Sequence, residues 1–98
     1  MEELIKELKR DIISGSTYVD LEKESHDIND INYRNEHLLF EDGKIAYYCM
    51  DVIKDNTTRE GGSVIYDGPE TFLKASIKEI IQSINACYCY NVTEVENE

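Results

Sequence analysis

The residues with most chemistry to offer in this 98-residue chain are three cysteines, two histidines, a glycine pair beside an arginine, and a large excess of carboxylates. Cys87-Tyr88-Cys89 would set two thiols on one face of a strand, and Cys49 with His26 or His37 would complete four ligands for zinc. Structural zinc sites, however, usually draw their cysteines from C-x₂₋₄-C knuckles, and a C-x-C pair on a strand reads better as two small buried apolar residues. A cysteine nucleophile needs a base held beside it, and neither His26 nor His37 stands in a local nucleophile motif. With 21 acids in the chain, close carboxylate pairs are expected by chance and do not identify acid–base chemistry. The expectation is a protein without catalytic residues, metal ligands or cofactor.

Arg59-Glu60-Gly61-Gly62-Ser63 is the nearest approach to an anion cradle, because glycine backbone can present N–H groups and Arg59 can pair with a phosphate. It lacks Walker spacing and reads as part of a turn-rich loop from Asp55 to Gly62. Five of the seven tyrosines, Tyr47, Tyr48, Tyr66, Tyr88 and Tyr90, are expected on strands, where they either fill a core or anchor a ligand. Together with Arg59 and Lys54 they form the alternative candidate site, for a nucleotide-like small molecule in a sponge-type homo-oligomer.

The carboxylates are more informative in their distribution than in their number. The net charge is −11. Between positions 20 and 42, Asp20, Glu22, Glu24, Asp27, Asp30, Glu36, Glu41 and Asp42 face only Lys23 and Arg34, and Glu94, Glu96 and Glu98 end the chain with no base among them. The rest is nearly balanced. Solubility does not require such segregation, which argues against direct binding to nucleic acid or anionic lipid and for a basic protein partner. The partner-binding candidates are Asp20, Glu22, Glu24, Asp27, Asp30 and Glu36. No apolar run approaches the ~20 residues that span a bilayer. An odd cysteine count with no signal peptide suits a reducing cytoplasm.

Positioning these residues falls to a single α+β domain of 98 residues, with a mostly antiparallel sheet of about four strands around a central β-hairpin. The hairpin is the most clearly signalled element. Asp42-Gly43 lies between Leu38–Glu41 and Lys44–Ile53, and a type I′ turn with positive φ at both central residues suits that pair. The second arm is apolar on both faces, Ile45, Tyr47, Cys49 and Ile53 on one and Ala46, Tyr48, Met50 and Val52 on the other, so it should be central and covered twice, by helices, by a folded-over segment or by another subunit.

An amphipathic helix is expected over Glu2–Ser14, closed by Gly15, and a second from Pro69 to about Asn85. If both lie on one face, a homodimer is expected to cover the other. A third strand is expected at Ser63–Asp67, a last one at Cys87–Val92, and the tail from Glu94 to Glu98 is expected to fray. Ser16–Glu36 fits neither period; it reads as a short strand near Thr17–Leu21 or equally as a helical turn, with the run from Asp27 to Asn32 a loop pinned by Ile28 and Ile31. The functional expectation is a non-enzymatic inhibitor, of phage or mobile-element composition, that occupies a basic nucleic-acid-binding groove. An immunity-type partner of a toxic enzyme would read the same way.

Overall fold

A computed structural model describes residues 1–27, 32–53, 57–91 and 93–96, and the side chains of 1–25, 33–52 and 60–86. The chain runs α1 (Glu2–Ile13), β1 (Tyr18–Asp27), β2 (Asn32–Glu41), β3 (Lys44–Ile53), β4 (Thr57–Tyr66), α2 (Pro69–Lys74), α3 (Ile77–Asn91) and β5 (Thr93–Glu96). The strands form one antiparallel meander in the order β1-β2-β3-β4-β5, so β3 is central, and the class is α+β.

The hairpin stands where its dipeptide places it: Asp42 has φ 53° and Gly43 φ 76°, and Glu41 pairs with Lys44 across the turn. Helix α1 ends in a Schellman motif. Gly15 at φ 98° lets its own N–H reach the Ile12 carbonyl at 3.1 Å and the Ser16 N–H reach Asp11 at 3.0 Å, a geometry that glycine adopts without a Cβ penalty.

Four expectations are corrected. The Ser16–Glu36 region contains most of two ten-residue strands in place of a short one, while Ile28 and Ile31 lie outside the described residues. Thr57 to Gly62 is not a loop: it pairs with Tyr48 to Ile53 of β3. Glycine suits that strand because a Cβ on Gly62 would collide with the Tyr48 ring and come to 2.7 Å from the Tyr47 carbonyl oxygen, so the ring lies over bare backbone.

The helix after Pro69 breaks at Ala75, which is extended at ψ 143°, and restarts behind a capping box. The Glu79 N–H donates to Ser76 Oγ at 3.1 Å and the Ser76 N–H to Glu79 Oε1 at 3.4 Å. Cys87 to Asn91 then continue α3, and the last strand is instead Thr93–Glu96, which pairs with β4 and takes Glu94 and Glu96 out of a frayed tail.

All three helices share one side of the sheet. Ile5 and Leu8 of α1, Phe72 of α2 and Ile80 and Ile84 of α3 close over Val19, Leu38, Phe40, Ile45, Tyr47 and Cys49, and this cluster is the core. Lys9 of α1 ties the helices at their break by donating to the Ala75 carbonyl at 2.5 Å. Tyr66 meets Phe72 edge to face at 5.6 Å. Among the described residues no helix covers the opposite side of β3, and Tyr48 there is 45% exposed.

Candidate functional site: the open face of the sheet

Strand alternation sorts the charged residues onto two sides. On the helix side, beyond the helices, Arg34 of β2 donates Nε to Asp51 Oδ1 at 2.6 Å and Nη2 to Oδ2 at 3.0 Å, a bidentate pair across the β2–β3 ladder. Glu36 accepts from the Tyr47 hydroxyl at 3.0 Å and lies 4.0 Å from Arg34. The hydrogen bond to Asp51 holds the Arg34 guanidinium more firmly protonated than usual, against the pull of its partial burial. Burial, and then the Glu36 charge, raise Tyr47 well above the ordinary phenol range, and burial raises the Cys49 thiol. These carboxylates are occupied inside the fold.

The open side is different. Asp20, Glu22 and Glu24 occupy alternate positions on β1, about 6.8 Å apart, and form a row along that edge of the sheet. Each is propped from β2. His37 sets Nδ1 3.3 Å from Asp20 and Nε2 3.6 Å from Glu22, while Glu24 accepts from the Tyr33 hydroxyl at 2.8 Å and from Asn35 Nδ2 at 3.4 Å. The bond to Glu24 raises the Tyr33 phenol above its usual value. Inward from the row lie Leu39, Ala46, Tyr48, Met50 and Val64. Glu60 stands beyond them on β4, paired with Met50. An open groove of about 620 Å³ lies between His37, Asn35, Tyr48, Met50 and Glu60, and a smaller one of about 290 Å³ lies on the other side of Tyr48 between Leu39, Lys44, Ala46 and Val64.

Of the six partner-binding candidates, the structure therefore brings Asp20, Glu22 and Glu24 together on the open face and turns Glu36 to the other. The Asp27 side chain and Asp30 lie outside the described residues. The alternative set shares no single face: Tyr47 is buried in the core, Tyr66 packs on Phe72, and Tyr48 looks the opposite way. Tyr88 and Tyr90 belong to α3 and Arg59 to β4, their side chains undescribed, and Lys54 lies outside the described residues. Cys87 and Cys89 belong to α3 and not to a strand. Among the described residues no group of three or more His, Cys, Asp or Glu side chains is placed to hold a metal ion.

Reading the sequence alone missed His37, Tyr33 and Asn35 as the supports of the row, Glu60 as its counterpart and Met50 as part of the floor. The usable signal was the alternation of Asp20, Glu22 and Glu24 with Val19 and Leu21. No family model matches the chain, and neither a curated protein nor a solved structure does. Among the described residues no helix is long and apolar enough to cross a membrane.

Proposed function

We propose that this is a non-enzymatic interaction protein, an inhibitor whose acidic open face occupies a basic, nucleic-acid-binding groove on a protein partner. The observation that carries the reading is the row Asp20, Glu22 and Glu24, fixed on one strand with no lysine or arginine partner among the described side chains and set beside an exposed aromatic surface. A carboxylate on every second residue of a strand repeats at nearly the interval of successive phosphates along a nucleic-acid strand. A groove built to read phosphates with Lys and Arg would read this row as well.

The test is competition. The intact protein is immobilised, proteins bound at low salt are eluted with duplex DNA, and the eluted partner is titrated against the parent and against Asp20→Asn/Glu22→Gln/Glu24→Gln. Affinity for the variant is expected to fall by about tenfold or more, with a flatter salt dependence, because screened long-range attraction is lost. Unchanged affinity in a variant whose circular dichroism matches the parent, or a partner that DNA does not displace, overturns the proposal.

A further inference from the structure

The open face carries an acidic row on β1 and one glutamate, Glu60, across from it on β4, and the space between them has the width of a helix. Across the ladder Glu22 lines up with His37, Tyr48 and Gly62, and Glu24 with Asn35, Met50 and Glu60. From β1 to β4 is three strand spacings, ~14 Å, while an α-helix with its side chains is ~10–12 Å across. Tyr48 rises from the middle of this channel with a groove on either side of it. Its ring lies over the Gly62 backbone with its other side open, and Met50 beside it supplies an adaptable thioether.

Resting on the acidic-face reading above, we infer that the channel takes a basic amphipathic α-helix of the partner, laid along β2 and β3. Its apolar stripe meets Tyr48 and Met50. Its basic flank meets Asp20, Glu22 and Glu24 through Lys or Arg at i, i+4 and i+8, because four helical residues rise ~6.0 Å where two strand residues rise ~6.8 Å. A cation on its other flank meets Glu60. Helices of this kind also fit the DNA major groove, which is ~12 Å wide between its own rows of phosphates.

A second copy of this chain does not suit the face. Asp20, Glu22, Glu24, Glu41 and Glu60 stand on it with Lys44 as the single lysine or arginine among its described side chains, so two such faces would repel.

The probes are two synthetic peptides of identical composition and about 18 residues, long enough to hold a helix. In one, lysines recur at i, i+4 and i+8 beside a leucine stripe; in the other the same residues are shuffled around the helix. Each is titrated at low salt into the intact protein, with binding followed through the amide and side-chain NMR shifts of Tyr48 and Met50. The patterned peptide is expected to bind about tenfold more tightly or better. That advantage should vanish in Tyr48→Ala and also in Met50→Lys, which serves if the first variant unfolds.

Equal binding of both peptides overturns the helix while leaving the acidic-face proposal standing. Failure of both to bind overturns the two together. Shifts confined to the helix-covered side overturn the placement. A dimer by light scattering that Met50→Lys dissociates makes a second copy the occupant and overturns the inference as well.

Discussion

The two faces of the sheet use the same residue types to opposite ends. Tyr47 and Tyr48 are consecutive on β3, yet Tyr47 is 1% exposed, with its hydroxyl on Glu36, while Tyr48 stands in the open. The carboxylates divide the same way. Asp51 is clasped by Arg34 inside the fold, whereas Glu24 is held by Tyr33 and Asn35, hydrogen bonds that leave its charge in place. The first arrangement consumes its charge in holding the structure together. The second holds charge in a fixed geometry and spends none of it.

The contrast is sharpest in neighbouring alanine substitutions. Tyr47→Ala is expected to cost about 3–5 kcal/mol in urea unfolding, the range for emptying an aromatic site in a core, and Tyr48→Ala less than about 1 kcal/mol. Equal losses would show that the open face is packed after all. Gly62→Ala probes the seam between the faces and should cost about 1–3 kcal/mol, since the new methyl meets both the Tyr48 ring and the Tyr47 backbone. Adding Tyr48→Ala should restore only part of that, because the carbonyl oxygen remains in the way. At the turn, Gly43→Val should lower stability by more than about 1 kcal/mol in thermal melts, and Gly43→Asn by less, as asparagine tolerates positive φ better.

The smallest effect is on pH. Cys49 and Tyr47 have folded pKa values raised above their ordinary 9.0 and 10.0, so the folded chain keeps protons that the unfolded chain gives up. Their contribution is complete below pH 9.0 and is lost as pH rises from there. Stability should therefore decline on the alkaline side, with an onset moved upward in Cys49→Ala. A flat profile through that range would mean that these groups are open to water.

Local chemistry was legible wherever one dipeptide or one cap decides the backbone. Asp42-Gly43 and Gly15 required no tertiary context, and the periodicity of Leu4, Ile5, Leu8 and Ile12 marked α1. The region from Ser16 to Glu36 was not legible because its strands are built from Glu, Lys, Asp and Asn, residues depleted in strands generally and tolerated here because one face is wet. Gly61 and Gly62 signalled a turn for a good local reason, and the Tyr48 ring overrides it. The break at Ala75 was written in Ser76-Ile77-Lys78-Glu79, a capping box hidden inside a longer apolar period. For the site, charge segregation pointed to Asp20, Glu22 and Glu24. Only the β1–β2 and β3–β4 registers could show that Glu36 turns away and that Glu60 stands across the channel.

The meander has a consequence for how the chain is assembled. From β1 to β4 each strand is hydrogen-bonded to the next after a short connection, so pairing among these four can spread outward from the Asp42-Gly43 turn through short-range steps, each of the kind that takes microseconds, whereas β5 joins only after α2 and α3. Sealing the core is slower in kind, because α1 must meet α3, which lies more than 60 residues away along the chain. Until it does, a partly built sheet has an uncovered greasy side and an edge strand, β1, with unpaired backbone. Asp20, Glu22 and Glu24 sit on that edge, and like charges there discourage a second nascent chain from adding itself as a sixth strand. The row thus works against self-association of the folding molecule.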